Sequence, residues 1–140
     1  MTIQPETMLL GGILLLSLVG VESGGWFLTR VARRRVPANA LQTAFFRAGH
    51  AHAAVLLVLG LVVGLFVDLA AVPEPWAEIA RWGAPAAAIL MPSGFFLSVL
   101  GRDPQRPGPL FVLLWAGAGC LTAGLVTAGV ALIVAFAASR

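Results

Sequence analysis

Four long apolar runs, at about 8–29, 45–67, 76–100 and 110–138, leave this chain few folds to choose from. A helix needs roughly 20 residues to cross the hydrocarbon core of a bilayer, and each run is long enough. None shows the two-residue alternation of a barrel strand. Backbone polar groups find no water in lipid, so spanning runs of this kind must be helical. Composition points the same way. Hydrophobic residues make up 59% of the 140 and charged residues 11%, against about 25% charged in a soluble domain. A soluble domain of this size has too much surface to carry so little charge. Disorder, a nucleic-acid module and an ordinary cytosolic enzyme are thereby excluded. The expected fold class is all-α: an integral membrane antiparallel four-helix bundle, up-down-up-down, with residues 1–140 forming one transmembrane domain.

The connectors, at 30–39, 68–75 and 101–108, each contain proline, which ends a helix. They are short, so sequential helices should be antiparallel neighbours. Their charges differ. Arg30, Arg33, Arg34 and Arg35 fall in the first, and Arg102 and Arg106 in the third. The second holds Asp68 and Glu74, with Glu78 and Arg81 just beyond it. Arginines favour the cytoplasmic side, so the first and third connectors are expected there, with both termini outside. The N-terminal stretch has Glu6 and no basic residue, unlike a signal-peptide n-region, and the first run reads as a retained span. The protein is therefore placed in the inner (cytoplasmic) membrane as a multi-pass chain. Trp76 and Trp82 would mark the outer interface, Trp26 and Trp115 the inner one. Cys120 is the single cysteine, so no internal disulfide forms.

Small residues recur at helix-contact spacing: Gly20 with Gly24, Gly60 with Gly64, and the series Ala116, Cys120, Gly124, Ala128. Such stripes let backbones approach closely, within one bundle or between subunits. A homo-oligomer or a larger membrane complex is expected on this ground, with the lipid bilayer and no nucleic acid as the other partner.

Few polar residues lie inside the runs, and three share a depth. Glu22 lies eight residues before Arg30, roughly 12 Å from that end. His50 is seven residues past Thr43, roughly 10 Å in from the same side, and Ser93 is eight before Gly101, again roughly 12 Å. Arg47 is three residues from His50 and shares its face. His52, two residues from His50, points about 200° away, so the two cannot grip one metal ion on a regular helix. The candidate polar site is thus Glu22, Arg47, His50, His52 and Ser93, with Glu22 expected to pair with Arg47 or hydrogen-bond to His50. Pro85 and Pro92 share a face of the third run, and Pro92-Ser93-Gly94 could break that helix at this depth or only kink it. No catalytic residue, metal site or cofactor is assigned: the chain has no Walker loop, nucleophile elbow, HExxH or CxxC motif.

The segment at 45–59, FFRAGHAHAAVLLVL, together with ESGGW at 22–26 and PSGFF at 92–96, resembles small four-span bacterial membrane proteins that are themselves uncharacterised. The resemblance covers most of the chain and brings no activity with it. The four-span MAPEG enzymes of glutathione and eicosanoid metabolism are similar in size and in a basic residue followed by His early in the second span. They differ in the Asn and acidic residue expected after that His, where this chain has Ala51, His52 and Ala53. The chain also has no Tyr to assist glutathione, and it is not assigned to them.

Three functional readings follow. In the first, a buried Glu22/His50 layer handles protons or a small polar solute, as intramembrane carboxylate–His pairs can. In the second, the chain is an accessory or scaffold subunit of a larger membrane complex, and its polar residues only set helix register. In the third, His50 or His52 ligates haem or a metal in a redox protein.

Overall fold

The computed structural model describes residues 2–140, which form four helices and no strand. They are α1 (Pro5–Ala32), α2 (Ala40–Leu69), α3 (Trp76–Leu97) and α4 (Val112–Ala138), with a 3-10 turn at Pro109–Phe111 leading into α4. Local chemistry explains the ends. Pro5 starts α1, where its missing N–H costs nothing, and Glu6 faces the positive end of the helix dipole. Asn39 caps α2: its side chain accepts from the Gln42 N–H while the Gln42 side chain accepts from the Asn39 N–H. After α3 the chain turns at Gly101, whose φ of +127° suits glycine best.

Each helix packs chiefly on its sequence neighbour, α1 on α2, α2 on α3 and α3 on α4, and α1 and α4 share no substantial face. The centre of the molecule is therefore α3. Half of its 22 residues are buried, including Ala77, Ala80, Ala84 and Ala87. Leu10, Leu14, Leu56 and Leu57 close on Ala87, Ala88 and Met91, and Val63 and Val67 close on Ala77, Ala80 and Ala128. α3 and α4 meet backbone to backbone: a Cβ on Gly83 would lie 2.5 Å from Gly124 Cα, and one on Gly94 would lie 2.6 Å from Leu114 N. Of the fourth-run stripe, Gly124 and Ala128 are buried in this contact, while Cys120 is half-buried and Ala116 exposed. Gly60 and Gly64 receive Leu14, Pro85 and Thr7, whereas Gly20 faces open space.

Three helical stretches are long and apolar enough to cross a membrane: Pro5–Ala32, Ala40–Leu69 and Pro109–Ala138. The third run, read from sequence as a span, is not one of them. Its helix is built largely of Ala, Gly and Pro and carries Glu78 and Arg81, which lowers its apolar character. Because α2 and α4 cover it, it needs small side chains more than greasy ones. α3 also remains helical through Pro85 and Pro92, so no break opens at Pro92-Ser93-Gly94.

Candidate functional site

The level of Glu22 and His50 is built as follows. His50 is half-buried, and its ring lies over α1 at Gly24 and Gly25; a Cβ on Gly24 would come 3.1 Å from His50 Nδ1. The two glycines thus form a notch that accepts the imidazole. Glu22 is exposed on the outer side of α1. It sits two residues from Gly24, about 200° round the helix. Arg47 is exposed as well. Among the described residues, no ion pair or hydrogen bond joins Glu22 to His50 or Arg47, so the expected contact is not formed. The register of α1 on α2 is the reason, since it presents glycine, not Glu22, to His50. His52 turns elsewhere, as its offset from His50 requires: its Nδ1 is 2.7 Å from the Ala48 carbonyl and its ring 5.0 Å from that of Phe95. Ser93 is half-buried on α3.

Phenylalanines fill the space between these groups. Phe46 lies 5.3 Å from Phe27 and 5.7 Å from Phe96, and Phe45 lies 5.6 Å from Phe95. A Cβ on Gly49 would be 2.8 Å from Phe96, so α2 is pressed onto α3 here. The structure brings His50 to α1 and His52 to α3, with an aromatic layer beside them, and leaves Glu22 and Arg47 outside. Among the described residues no three His, Cys, Asp or Glu side chains are grouped to hold a metal ion.

The densest polar site lies at the other end, where the start of α1 meets the end of α2 and the start of α3. Arg81 is 3% exposed and every guanidinium nitrogen is engaged. Nε donates to Thr7 Oγ1 at 3.0 Å, one terminal nitrogen to Asp68 Oδ1 at 3.0 Å, and the other to Glu78 Oε1 at 2.8 Å. The Gln4 N–H donates to the second Asp68 oxygen at 2.8 Å, and Trp82 Nε1 donates to Glu78 Oε2 at 2.9 Å. Glu74 stands 3.8 Å from the same guanidinium. A recess of about 950 Å³, lined by Gln4, Glu6, Asp68, Glu74, Glu78 and Arg81 among others, opens over this knot. A guanidinium with all its nitrogens bonded and no proton to give up is a clamp, not an acid–base catalyst.

Sequence reasoning treated Asp68, Glu74, Glu78 and Arg81 only as connector charges. One signal was available: Arg81 sits inside the third apolar run next to Ala80, within a turn of Glu78, where an unpaired cation is costly. Thr7 gave no signal, since a threonine there has many uses.

A second polar tie joins the first and third connectors. Gln42 donates to the Val99 and Gly101 carbonyls at 3.1 and 3.0 Å, and Asn39 donates to Asp103 Oδ1 at 2.7 Å and to the Pro104 carbonyl at 2.8 Å. Comparison with known protein families, curated proteins and solved structures finds no match to this chain.

Proposed function

We propose that the protein is a multi-pass subunit of the bacterial inner membrane that serves as an accessory or scaffold component of a larger membrane assembly. One observation carries this reading. Glu22 stands in the middle of an apolar helix, on its outer side, and among the described residues no side chain is hydrogen-bonded or ion-paired to it. A carboxylate cannot stay in lipid cheaply, so a surface that carries one is a surface that meets another polar group.

The four helices run up-down-up-down through the bilayer in this reading, with α3 sheathed by α2 and α4. The arginine-rich first and third connectors lie together in the cytoplasm, which their mutual hydrogen bonds support, and both termini lie outside. The alternative, in which Glu22 and His50 pass on protons or a small polar solute, is favoured by one fact: the half-buried His50 ring has no hydrogen-bond partner among the described residues. It is weakened by the separation of Glu22 from that imidazole. The haem or metal reading has only two histidines to draw on, and they face different helices.

Solubilisation in mild detergent followed by native electrophoresis tests the proposal. The chain is expected to migrate in an assembly larger than a monomer, with Glu22→Leu shifting it to the monomer and His50→Ala leaving it in place. Migration of the unaltered chain as a monomer alone would overturn the reading, and a visible absorption band or stoichiometric metal would favour the redox one. Orientation is tested separately by Ala38→Cys on a Cys120→Ala background. The cysteine should resist an impermeant reagent added outside intact cells, and labelling there would refute the assigned topology.

A further inference from the structure

We propose that α1 is the seam of a parallel, two-fold symmetric dimer of this chain, joined toward the Trp26 end of the seam by a hydrogen bond between the two Glu22 carboxyls. The proposal rests on the membrane-subunit reading above and names the first partner as a second copy. Met8, Gly12, Leu15, Val19, Glu22 and Trp26 follow one another at alternating intervals of four and three residues. That repeat averages 3.5 residues, which keeps one stripe facing a partner along a left-handed helix pair. All six residues are exposed. The stripe that α2 covers is a different one, through Thr7, Leu10 and Leu14. A Cβ on Gly12 would meet nothing within 4 Å, so the seam also has a notch that a facing side chain can enter.

Contact with lipid alone would account for the apolar members of this stripe but not for Glu22. Symmetry identifies the occupant. Copies of one chain insert in the same orientation, so two α1 helices run parallel, and a two-fold axis along the membrane normal sets each seam residue opposite itself. Glu22 then meets Glu22 of the partner subunit at equal depth. Two carboxyls in one site hold a proton between them, and a protonated carboxyl donates as well as accepts. The pair therefore satisfies itself with no other side chain. A different protein would have to bring its own polar group to that depth; a second copy does so by identity. The Arg81 clamp holds the start of α1 at Gln4 and Thr7, which fixes the rotation that keeps this stripe outward.

Disulfide mapping in native membranes tests the seam. On a Cys120→Ala background, Met8→Cys, Leu15→Cys and Val19→Cys are compared with Leu9→Cys and Ile13→Cys, which are 69% and 50% exposed but lie off the stripe. On oxidation, homodimer is expected at the three seam positions at tenfold or more the yield of the two controls. Glu22→Gln should keep the Val19→Cys dimer, because paired amides also donate and accept, whereas Glu22→Leu should lower its yield tenfold or more. Equal yields on and off the stripe, no homodimer at the seam, or an undiminished Glu22→Leu dimer would each overturn the proposal. Seam-periodic adducts with another protein in place of homodimer would refute self-pairing and leave the subunit reading standing. No adduct of either kind would count against both.

Discussion

α1 carries polar groups at its start and an acidic one past its middle, and the chain treats the two places in opposite ways. At its start, Thr7 and the Gln4 backbone are drawn onto Arg81 and Asp68, and Thr7, Asp68 and Arg81 are buried. Nearer its end, Glu22 and Arg47 lie on adjacent helices, yet both point outward and unpaired, and the space between α1 and α2 goes to an imidazole on glycine. The difference lies in what the converging elements bring. Three helix ends meet at Arg81 and supply an acceptor to every guanidinium nitrogen, which offsets the desolvation of the charge. At the level of Glu22 the converging helices bring glycine, imidazole and phenylalanine instead, so an ionisable group placed there stays on the surface. Matched depth on sequential helices does not make a buried pair; the surrounding shell of partners does.

The largest effect is expected from breaking the satisfied end. Asp68→Ala leaves Arg81 buried with an open nitrogen, and losing one partner of a buried pair costs about 3–5 kcal/mol. Thermal unfolding in detergent should show this as a large drop in stability. The double variant Asp68→Leu with Arg81→Leu should recover much of the loss, because apolar residues in place of both charges leave nothing unsatisfied. Failure of the double variant to recover would show that the knot orders the helix ends in a way packing cannot replace.

A middle-sized effect is expected from Thr7→Val, which keeps the shape and removes the hydroxyl that Arg81 Nε donates to at 3.0 Å. A hydrogen bond to a charged group contributes about 1.5–3 kcal/mol. By contrast Glu22→Gln, on the open surface of α1, should change the stability of the separated monomer by no more than about 0.5 kcal/mol. If the two substitutions cost the same in monomeric protein, the contrast between the clamped and the open end fails.

Much of the fold was legible because bilayer-length apolar runs and proline-bearing connectors leave little choice of secondary structure. α2 covers 40–69 where hydropathy marks an apolar run of 45–67, the extra turns coming from the Asn39–Gln42 cap and from Asp68, polar residues that hydropathy ignores. The status of α3 was not legible in hydropathy, since its small residues measure how closely neighbours approach and not how greasy the helix is. The candidate site was legible only in its angles. A separation of two residues correctly sends His50 and His52 to different helices, as a property of one helix alone. Whether Glu22 meets His50 depends on the rotation of α1 against α2, which the Thr7–Arg81 hydrogen bond sets together with the packing of Leu10 and of Leu14 on Gly60, and none of these residues signals it in the sequence. Arg81 was legible in principle, as a cation inside an apolar run, but its partners come from three separate segments that only the folded chain brings together.

The smallest effect tests the glycine notch itself. A methyl at Gly24 would sit 3.1 Å from His50 Nδ1, and one at Gly25 would sit 3.6 Å from the same ring, so Gly24→Ala asks the imidazole to shift by a few tenths of an ångström. His50 is only half-buried and has room to yield. Alanine also favours the helix over glycine by about 1 kcal/mol, which opposes the crowding. The single substitution should therefore be near neutral in unfolding measurements. His50→Ala, which empties the notch, should be mildly destabilising. In the double variant the new methyl has no ring to meet, so the helix gain of alanine is released and the two changes couple by about 0.5–1 kcal/mol in the stabilising direction. Strict additivity would mean that the ring does not rest on Gly24. The register of α1 on α2, and with it the outward placement of Glu22, would then have to be set by the leucine contacts alone.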